Sequence, residues 1–585
     1  MLPEIGSPAR ARLRVAGRVF LVVLLVWVLA TVGIGFVARQ RVNSGLNTLE
    51  SARNQLDAQS LLRGDGTAVL QRAERDFSRA HSLASSFVLA PWTVVPLAST
   101  NVNAARSLTG AAQRVAAIGA RTSAAASTAL RVHPATPAER LALLDRVAAI
   151  AAGAERELDG VSLGSDFFLV GPLGSARTRF LDRLHKLRDA ITNADALVSG
   201  VARVLRGPQR YLILAANNAE MRAGSGMFLS VGTATFADGG FTVSTFQPTP
   251  NVVLPPGGVP VTGDLAALWG WTHPGQEWRN LATTPRFDVT APLAAQMWQA
   301  ATGQSVDGVL AVDPQVLEAV LDAQGPIAAN GGSLRGQDVV SYLLLGQYAG
   351  IPANVGDQAD RNDQLSAVAR AAVDTLSTRP WVASSLVGNL AGVGKGRHAL
   401  AWSRDPVLER AWQAAGIGGE LPSDALAVSI LNFGGNKLDQ FLDVQASLTL
   451  RPAAGGGQHA HLALRIRNTA PVDVPGYVAG PYPGSGLGEG VYQGVLAVSV
   501  PGGASLPRVG IAAPTLAAGA DGPTTVVAHG YFPVARGQVL DVPVDFDLPA
   551  GLSALQVIPS ARIPPITWHF GQKTFQDTAP ERLQW

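Results

Sequence analysis

The residues best suited to chemistry stand at the end of an apolar run. Tyr211–Ala216 is followed by Asn217, Asn218, Glu220 and Arg222, and then by Gly224 and Gly226. A carboxylate and a guanidinium at a strand mouth can form an anion site, because guanidinium groups grip phosphate oxygens bidentately. The same letters also make a turn. Asn side chains bond their own backbone and tolerate left-handed conformations. Glu220 and Arg222 would then be a surface pair worth under about 1 kcal/mol. Both readings stand on the residues alone.

Other candidates are weaker. Asp307 and Asp313 flank the apolar run Gly308–Val312. Asp313 precedes Pro314 and reads as a helix cap, which leaves Asp307 as the candidate site acid. Arg279 and Arg286 fall in a loop and are expected to be solvated. Gly434-Gly435-Asn436-Lys437 lacks the phosphate-loop spacing and reads as a turn at a strand edge. His459 and His461 alternate and face one side of a strand, with no third metal ligand in view. The chain has no cysteine, which removes thiolate chemistry and disulfides.

The elements that must position these residues alternate between strand and helix over 208–420. Tyr211–Ala216 is a strand. Two further strands meet at the tight turn Ala237-Asp238-Gly239-Gly240. Asp288–Gly303 is a helix, Gly308–Val312 a strand, and Gln315–Ala323 a helix. Such alternation predicts a sheet covered by helices. Residues 43–206 show Ala, Leu and Arg at helical spacing, with Leu62, Val69, Leu70, Ala73, Phe77, Ala80 and Leu83 near one face. Pro91 and Pro96 interrupt this helical stalk, and Thr136 with Pro137 restarts it. From 421 to 585 short strands and turn residues predict a β-sandwich. Trp568 and Tyr531 are expected to form a surface platform there, ahead of a loosely structured tail.

With 585 residues the chain is too long for one core. A net charge of +3 gives no dense basic face, so no nucleic-acid partner is expected. Val19–Val37 is free of charge and long enough for a hydrocarbon core of about 30 Å. Arg10, Arg12, Arg14 and Arg18 precede it. The expectation is a cytoplasmic basic tail at 1–18, a single transmembrane helix at 19–37 and an extracytoplasmic bulk at the plasma membrane. A cleaved signal peptide is the alternative.

The stretches YLILAANNAEMRAGSGMF, VDGVLAVDP, AQGPI and NFGGNKLDQFL resemble an actinobacterial group of exported proteins, domain of unknown function 4012. More distantly, the order of elements is similar to that of the LytR-CpsA-Psr phosphotransferases, which have a three-layer α/β fold. These enzymes move glycopolymers from polyprenyl-pyrophosphate carriers, with arginines and acids around Mg²⁺. The resemblance implies that Arg222 and Arg361, the latter in DRNDQL, bind phosphate, and it admits Mg²⁺ as a cofactor. The Pro-Arg-Asp tripeptide of those enzymes is replaced by STFQPTPN, Ser244–Asn251. The expected function is binding of a lipid-linked glycopolymer or its pyrophosphate in export or attachment, with weak or no catalysis. An active phosphotransferase with a rearranged site is one alternative. The other is a scaffold whose stalk docks envelope proteins. The expected partners are the membrane, lipid-linked polysaccharide or peptidoglycan, and an envelope protein.

Overall fold

The computed structural model describes residues 26–27, 30–31, 33–38, 40–48, 65–96, 98–164, 169–329, 332–349, 368, 370–481 and 485–585. The chain divides into two compact units, one made of Met1–Arg131 with Arg146–Asp195, the other of Val132–Asp145 with Ala196–Trp585.

In the first unit, α1 (Asp65–Ala84) packs against α2 (Ala98–Leu130). Ala73 and Phe77 meet Ala116, with Val42 and Leu46 alongside. The helices α3 (Pro137–Asp159) and α4 (Gly171–Arg206) run from one unit into the other. The start of α3 is a capping box: Thr136 Oγ1 accepts from Glu139 N, and Glu139 Oε2 accepts from the Ala135 and Thr136 amides. These bonds hold the Glu139 carboxyl below its usual range.

The expected single transmembrane helix is corrected. Among the described residues no helix is long and apolar enough to cross a membrane. Residues 19–25, 28, 29 and 32 of the expected span lie outside the described residues.

The second unit opens with a mixed sheet. Its strands are β1 (Gln209–Met221), β2 (Gly226–Ala237), β3 (Gly240–Val243), β4 (Gly308–Val312) and β5 (Ala399–Ser403), in the order β3-β2-β1-β4-β5. The β2–β3 turn places Asp238 and Gly239 at positive φ, which fits a two-residue hairpin. β1 and β4 run parallel, pairing Tyr211 with Gly308 and Ala215 with Val312. Alternate residues serve opposite faces. Leu212, Leu214, Val309 and Leu400 pack with α5 (Phe287–Thr302). Tyr211 and Ala401 pack with Val204 of α4 and with Leu408 and Trp412 of α8 (Pro406–Ala414). The helices α6 (Pro314–Gln324) and α7 (Ala383–Lys395) pack on each other beside this sheet.

Ala425 begins a β-sandwich. One sheet contains β7 (Leu442–Pro452), β8 (Gln458–Asn468) and β12 (Val539–Leu548). The other contains β6 (Ala425–Asn432), β9 (Tyr492–Pro501), β10 (Thr515–Asp521) and β11 (Thr524–Val534). The second sheet is covered on both sides. Val428, Ile430, Leu496 and Val498 fill the sandwich core. Leu431, Val495, Ala497, Val526 and Ala528 join the α/β core, which holds Trp269, Trp278 and Phe287. The α/β domain and the sandwich therefore share apolar packing, and 420/421 is not a break in the core. β13 (Ala554–Val557) extends the second sheet. The tail expected to be loose, from Thr567, forms β14 (Thr567–Phe570), β15 (Lys573–Gln576) and β16 (Glu581–Gln584), which extend both sheets.

Candidate functional site

β1 does not end at Ala216. It continues to Met221, with its ladder to β2 broken between Asn217↔Met227 and Met221↔Gly226. Asn218, Ala219 and Glu220 thus bulge out of the pairing, which re-aims their side chains. A Cβ on Gly226 would collide with the Asn217 carbonyl, so the return strand needs glycine there.

The bulge is buried, and its side chains are tied to the sandwich. Glu220 pairs with Lys437, and both are buried. Asn217 Nδ2 donates to Glu220 Oε2 at 3.3 Å, and Asn217 Oδ1 accepts from Ala219 N at 3.1 Å. The Lys437 ammonium lies 5.3 Å from the Tyr348 ring and 5.4 Å from the Tyr477 ring, which gives it two cation–π contacts. Burial opposes its charge, but Glu220 and the two rings outweigh that and hold the Lys437 pKa above its usual value.

Arg222 Nη1 donates to Asn432 O at 2.6 Å and to Met221 O at 3.2 Å. Its Nη2 donates to Asn280 Oδ1 at 3.2 Å, and its guanidinium lies 5.0 Å from the Phe433 ring. Nε is buried without a partner. Burial lowers the Arg222 pKa, against Glu220 and Asp439, which raise it.

Asp439 lies next in the network. Its Oδ2 accepts from Met221 N at 3.0 Å and Asn432 Nδ2 at 2.8 Å. Its Oδ1 accepts from Arg562 Nη1 at 2.9 Å and Tyr492 Oη at 3.1 Å. Burial pushes the Asp439 carboxyl up, while Arg562 and these hydrogen bonds pull it down.

Asn218 leads to a third group. Its Nδ2 donates to Ala561 O and to Asp313 Oδ2, both at 2.8 Å. Asp313 caps α6 by accepting from Gln315 N at 2.9 Å, and its Oδ2 lies 2.6 Å from His398 Nδ1. Burial lowers the His398 pKa, but Asp313, with Asp577 and Glu318, raises it further, so the net shift is upward.

Of the candidate residues, Asn217, Asn218, Glu220 and Arg222 thus all lie in buried polar groups, Asn217 and Glu220 with Lys437, Arg222 with Asn432 and Asn280, and Asn218 with Asp313. Asp307 is elsewhere: it is exposed at the start of β4 and accepts from Arg210 N at 2.7 Å. Arg210 and Arg222 are separated by nearly the length of β1, up to about 40 Å at ~3.3 Å per residue. Asp313, read as a cap, is both cap and network member. Arg361 lies outside the described residues. Arg279 pairs with Glu277. Arg286, expected to be solvated, is largely buried and bonds Asp521 at 2.9 Å.

Sequence reading missed Lys437, Asp439, His398 and Arg562. Lys437 and Asp439 lie in NFGGNKLDQFL, and Lys437 belongs to the turn expected at a strand edge. His459 faces Asp547 and His461 faces Asp545, each Nδ1 at 2.8 Å. Among the described residues no group of three or more His, Asp or Glu could hold a metal ion. The expected platform is also corrected. Trp568 is buried in the sandwich core. Tyr531 is 40% exposed and meets Trp271 and Phe433 edge-on at 6.3 and 5.5 Å.

Fold and site together define an α/β domain joined to a β-sandwich through a buried ionic network. Residues 206–348 match the model of a family described as protein of unknown function (DUF4012), which supports placing that segment in it. The matched segment holds Asn217–Arg222 but not Lys437, Asp439 or Arg562. No curated protein matches the chain. No solved structure matches it either.

Proposed function

We propose that this chain is a non-catalytic scaffold of a bacterial cell envelope, in which the α/β domain and the β-sandwich act as one rigid platform. The observation that carries this is the direction of the Arg222 donors. Both Nη nitrogens donate to protein oxygens, in a buried setting. An arginine committed in this way braces two domains, whereas a phosphate site needs donors turned toward a ligand. The proposed kinship to LytR-CpsA-Psr proteins then extends to the fold, with the acid-and-arginine bulge serving as a joint.

The test is calorimetric titration of the full chain with a short polyprenyl pyrophosphate, with and without Mg²⁺. The expected result is no saturable heat, together with a lowered melting temperature for Arg222→Ala. Saturable binding that disappears in Arg222→Lys, with its melting temperature unchanged, would overturn the scaffold reading in favour of a pyrophosphate site.

A second reading, glycopolymer binding, is favoured by the half-open cluster of Trp271, Phe433 and Tyr531. Aromatic rings beside polar groups suit sugar rings, and the Arg222 guanidinium lies 5.0 Å from the Phe433 ring. Co-sedimentation with peptidoglycan sacculi checks it. Tyr531→Ala should reduce the pelleted fraction, and an unchanged fraction removes the cluster from consideration.

A further inference from the structure

Glu220 Oε2 accepts from both Lys437 Nζ and Asn217 Nδ2. One carboxylate oxygen thus bridges an amine and a primary amide. Asn217 is 9% exposed, and Glu220 and Lys437 are each 4% exposed. A salt bridge needs only Glu220 and Lys437. It does not account for the amide seated on the same oxygen.

The surroundings suit attack on that amide. Asn217 Oδ1 accepts from Ala219 N at 3.1 Å. This backbone donor stands where negative charge develops when the Asn217 carbonyl carbon becomes tetrahedral. The Tyr348 and Tyr477 rings lie 5.3 and 5.4 Å from the Lys437 ammonium. Rings there exclude water, which would solvate the ammonium and compete with it as a nucleophile. Glu220 is a base in direct contact with that ammonium. The pair is neutral overall whichever partner holds the proton, so freeing the amine places no net charge in the interior. Amine and amide are held by one group, which makes the encounter intramolecular.

We propose that Lys437 and Asn217 form an intramolecular isopeptide bond, with Glu220 as the proton shuttle. Glu220 takes a proton from the Lys437 ammonium. The freed Nζ attacks Asn217 Cγ and forms the new C–N bond. Glu220 delivers that proton, and then the one Nζ sheds on acylation, to Asn217 Nδ2. The Cγ–Nδ2 bond breaks, Nδ2 leaves as ammonium, and Glu220 ends as a carboxylate. No oxidant, metal or cofactor is consumed. Burial opposes the Lys437 charge, but Glu220 holds its pKa above the usual value, so the ion pair is the resting state and bond formation is slow. Melting comparisons of the pair apply to this unlinked state. The product ties the β1 bulge to the turn after β6, so the α/β domain and the sandwich cannot separate without breaking a covalent bond. The inference goes beyond the scaffold reading, which stands whether or not the bond forms.

The full chain is incubated at neutral pH and sampled over days by intact mass spectrometry under denaturing conditions. Expected is a growing species lighter than the sequence by one ammonia. Trypsin should then fail to cut after Lys437, and should yield Tyr211–Arg222 joined to the peptide that carries Lys437. Glu220→Gln and Lys437→Arg should keep the full mass. If either variant fails to fold, the wild type decides alone. Four results overturn the proposal. The wild type keeps its full mass. The ammonia is lost within a single peptide, so an asparagine has cyclised. A water is lost instead and Lys437 is joined to Glu220, so Asn217 is not the acyl donor. Glu220→Gln links as fast as the wild type, so the carboxylate shuttles no proton.

Discussion

Glu220→Gln removes one charge of the buried pair and leaves Lys437 ionised among Tyr348, Tyr477 and a neutral amide. Breaking a buried pair by removing one partner costs about 3–5 kcal/mol, because the remaining ion is uncompensated. The unit that holds the pair has about 400 residues. At ~2.1 cal/mol/K per residue its unfolding entropy is about 0.85 kcal/mol/K. The melting temperature of that unit should therefore fall by about 4–6 °C. Scanning calorimetry on the full chain reads this, with the helical unit's transition as the internal control. Glu220→Leu with Lys437→Met removes both charges and should recover most of the loss, since replacing a buried pair by apolar groups is often neutral. A Glu220→Gln shift below about 1 °C, or a double variant as damaged as the single one, would refute the reasoning. The first outcome means that the pair is solvated, and the second that the loss does not come from an uncompensated charge.

Three further outcomes are expected. His398 has a pKa raised by Asp313, Asp577 and Glu318, so its stabilisation is fully present below the unfolded value, about 6.5, and is lost as pH rises through the folded value. The stability gap between wild type and His398→Gln should narrow over that rise, and a pH-independent gap in urea unfolding rejects the assignment. Gly226→Ala forces a Cβ against the Asn217 carbonyl and should cost about 1–3 kcal/mol, which thermal unfolding checks. Trp568→Ala should cost about 3–5 kcal/mol by emptying the sandwich core. Tyr531→Ala should cost about 0.5–1.5 kcal/mol through its ring contacts. Reversal of that order in denaturant titration restores Trp568 to the surface.

Much of the local architecture is legible in the residues. The Asp238-Gly239 turn, the Asp313-Pro314 start of α6 and the Gly303 end of α5 depend on backbone preferences within a few positions. The α/β alternation and the start of the sandwich at Ala425 follow from periodicity, which is also a short-range property. Periodicity predicts which residues share a face but not what covers that face. β6 illustrates this: one side meets the sandwich core and the other meets the α/β core. The tail beyond Trp568 was illegible for a related reason. Its short strands are stabilised by pairing at the sheet margins, which composition does not record.

The opening motif divides in the same way. That Asn217–Arg222 sits at the mouth of a buried strand was readable from the apolar run before it. Whether Glu220 and Arg222 meet water, a ligand or protein was not. Their partners Lys437 and Asn432 lie more than two hundred positions away, and Arg562, which reaches Asn432 through Asp439, lies farther still. A charge beside a strand carries no local mark of burial, because desolvation and pairing are set by what folds over it. The sequence by itself determined the elements and the residue types at their ends. Only the tertiary structure decided that those ends close on each other and join the α/β domain to the sandwich.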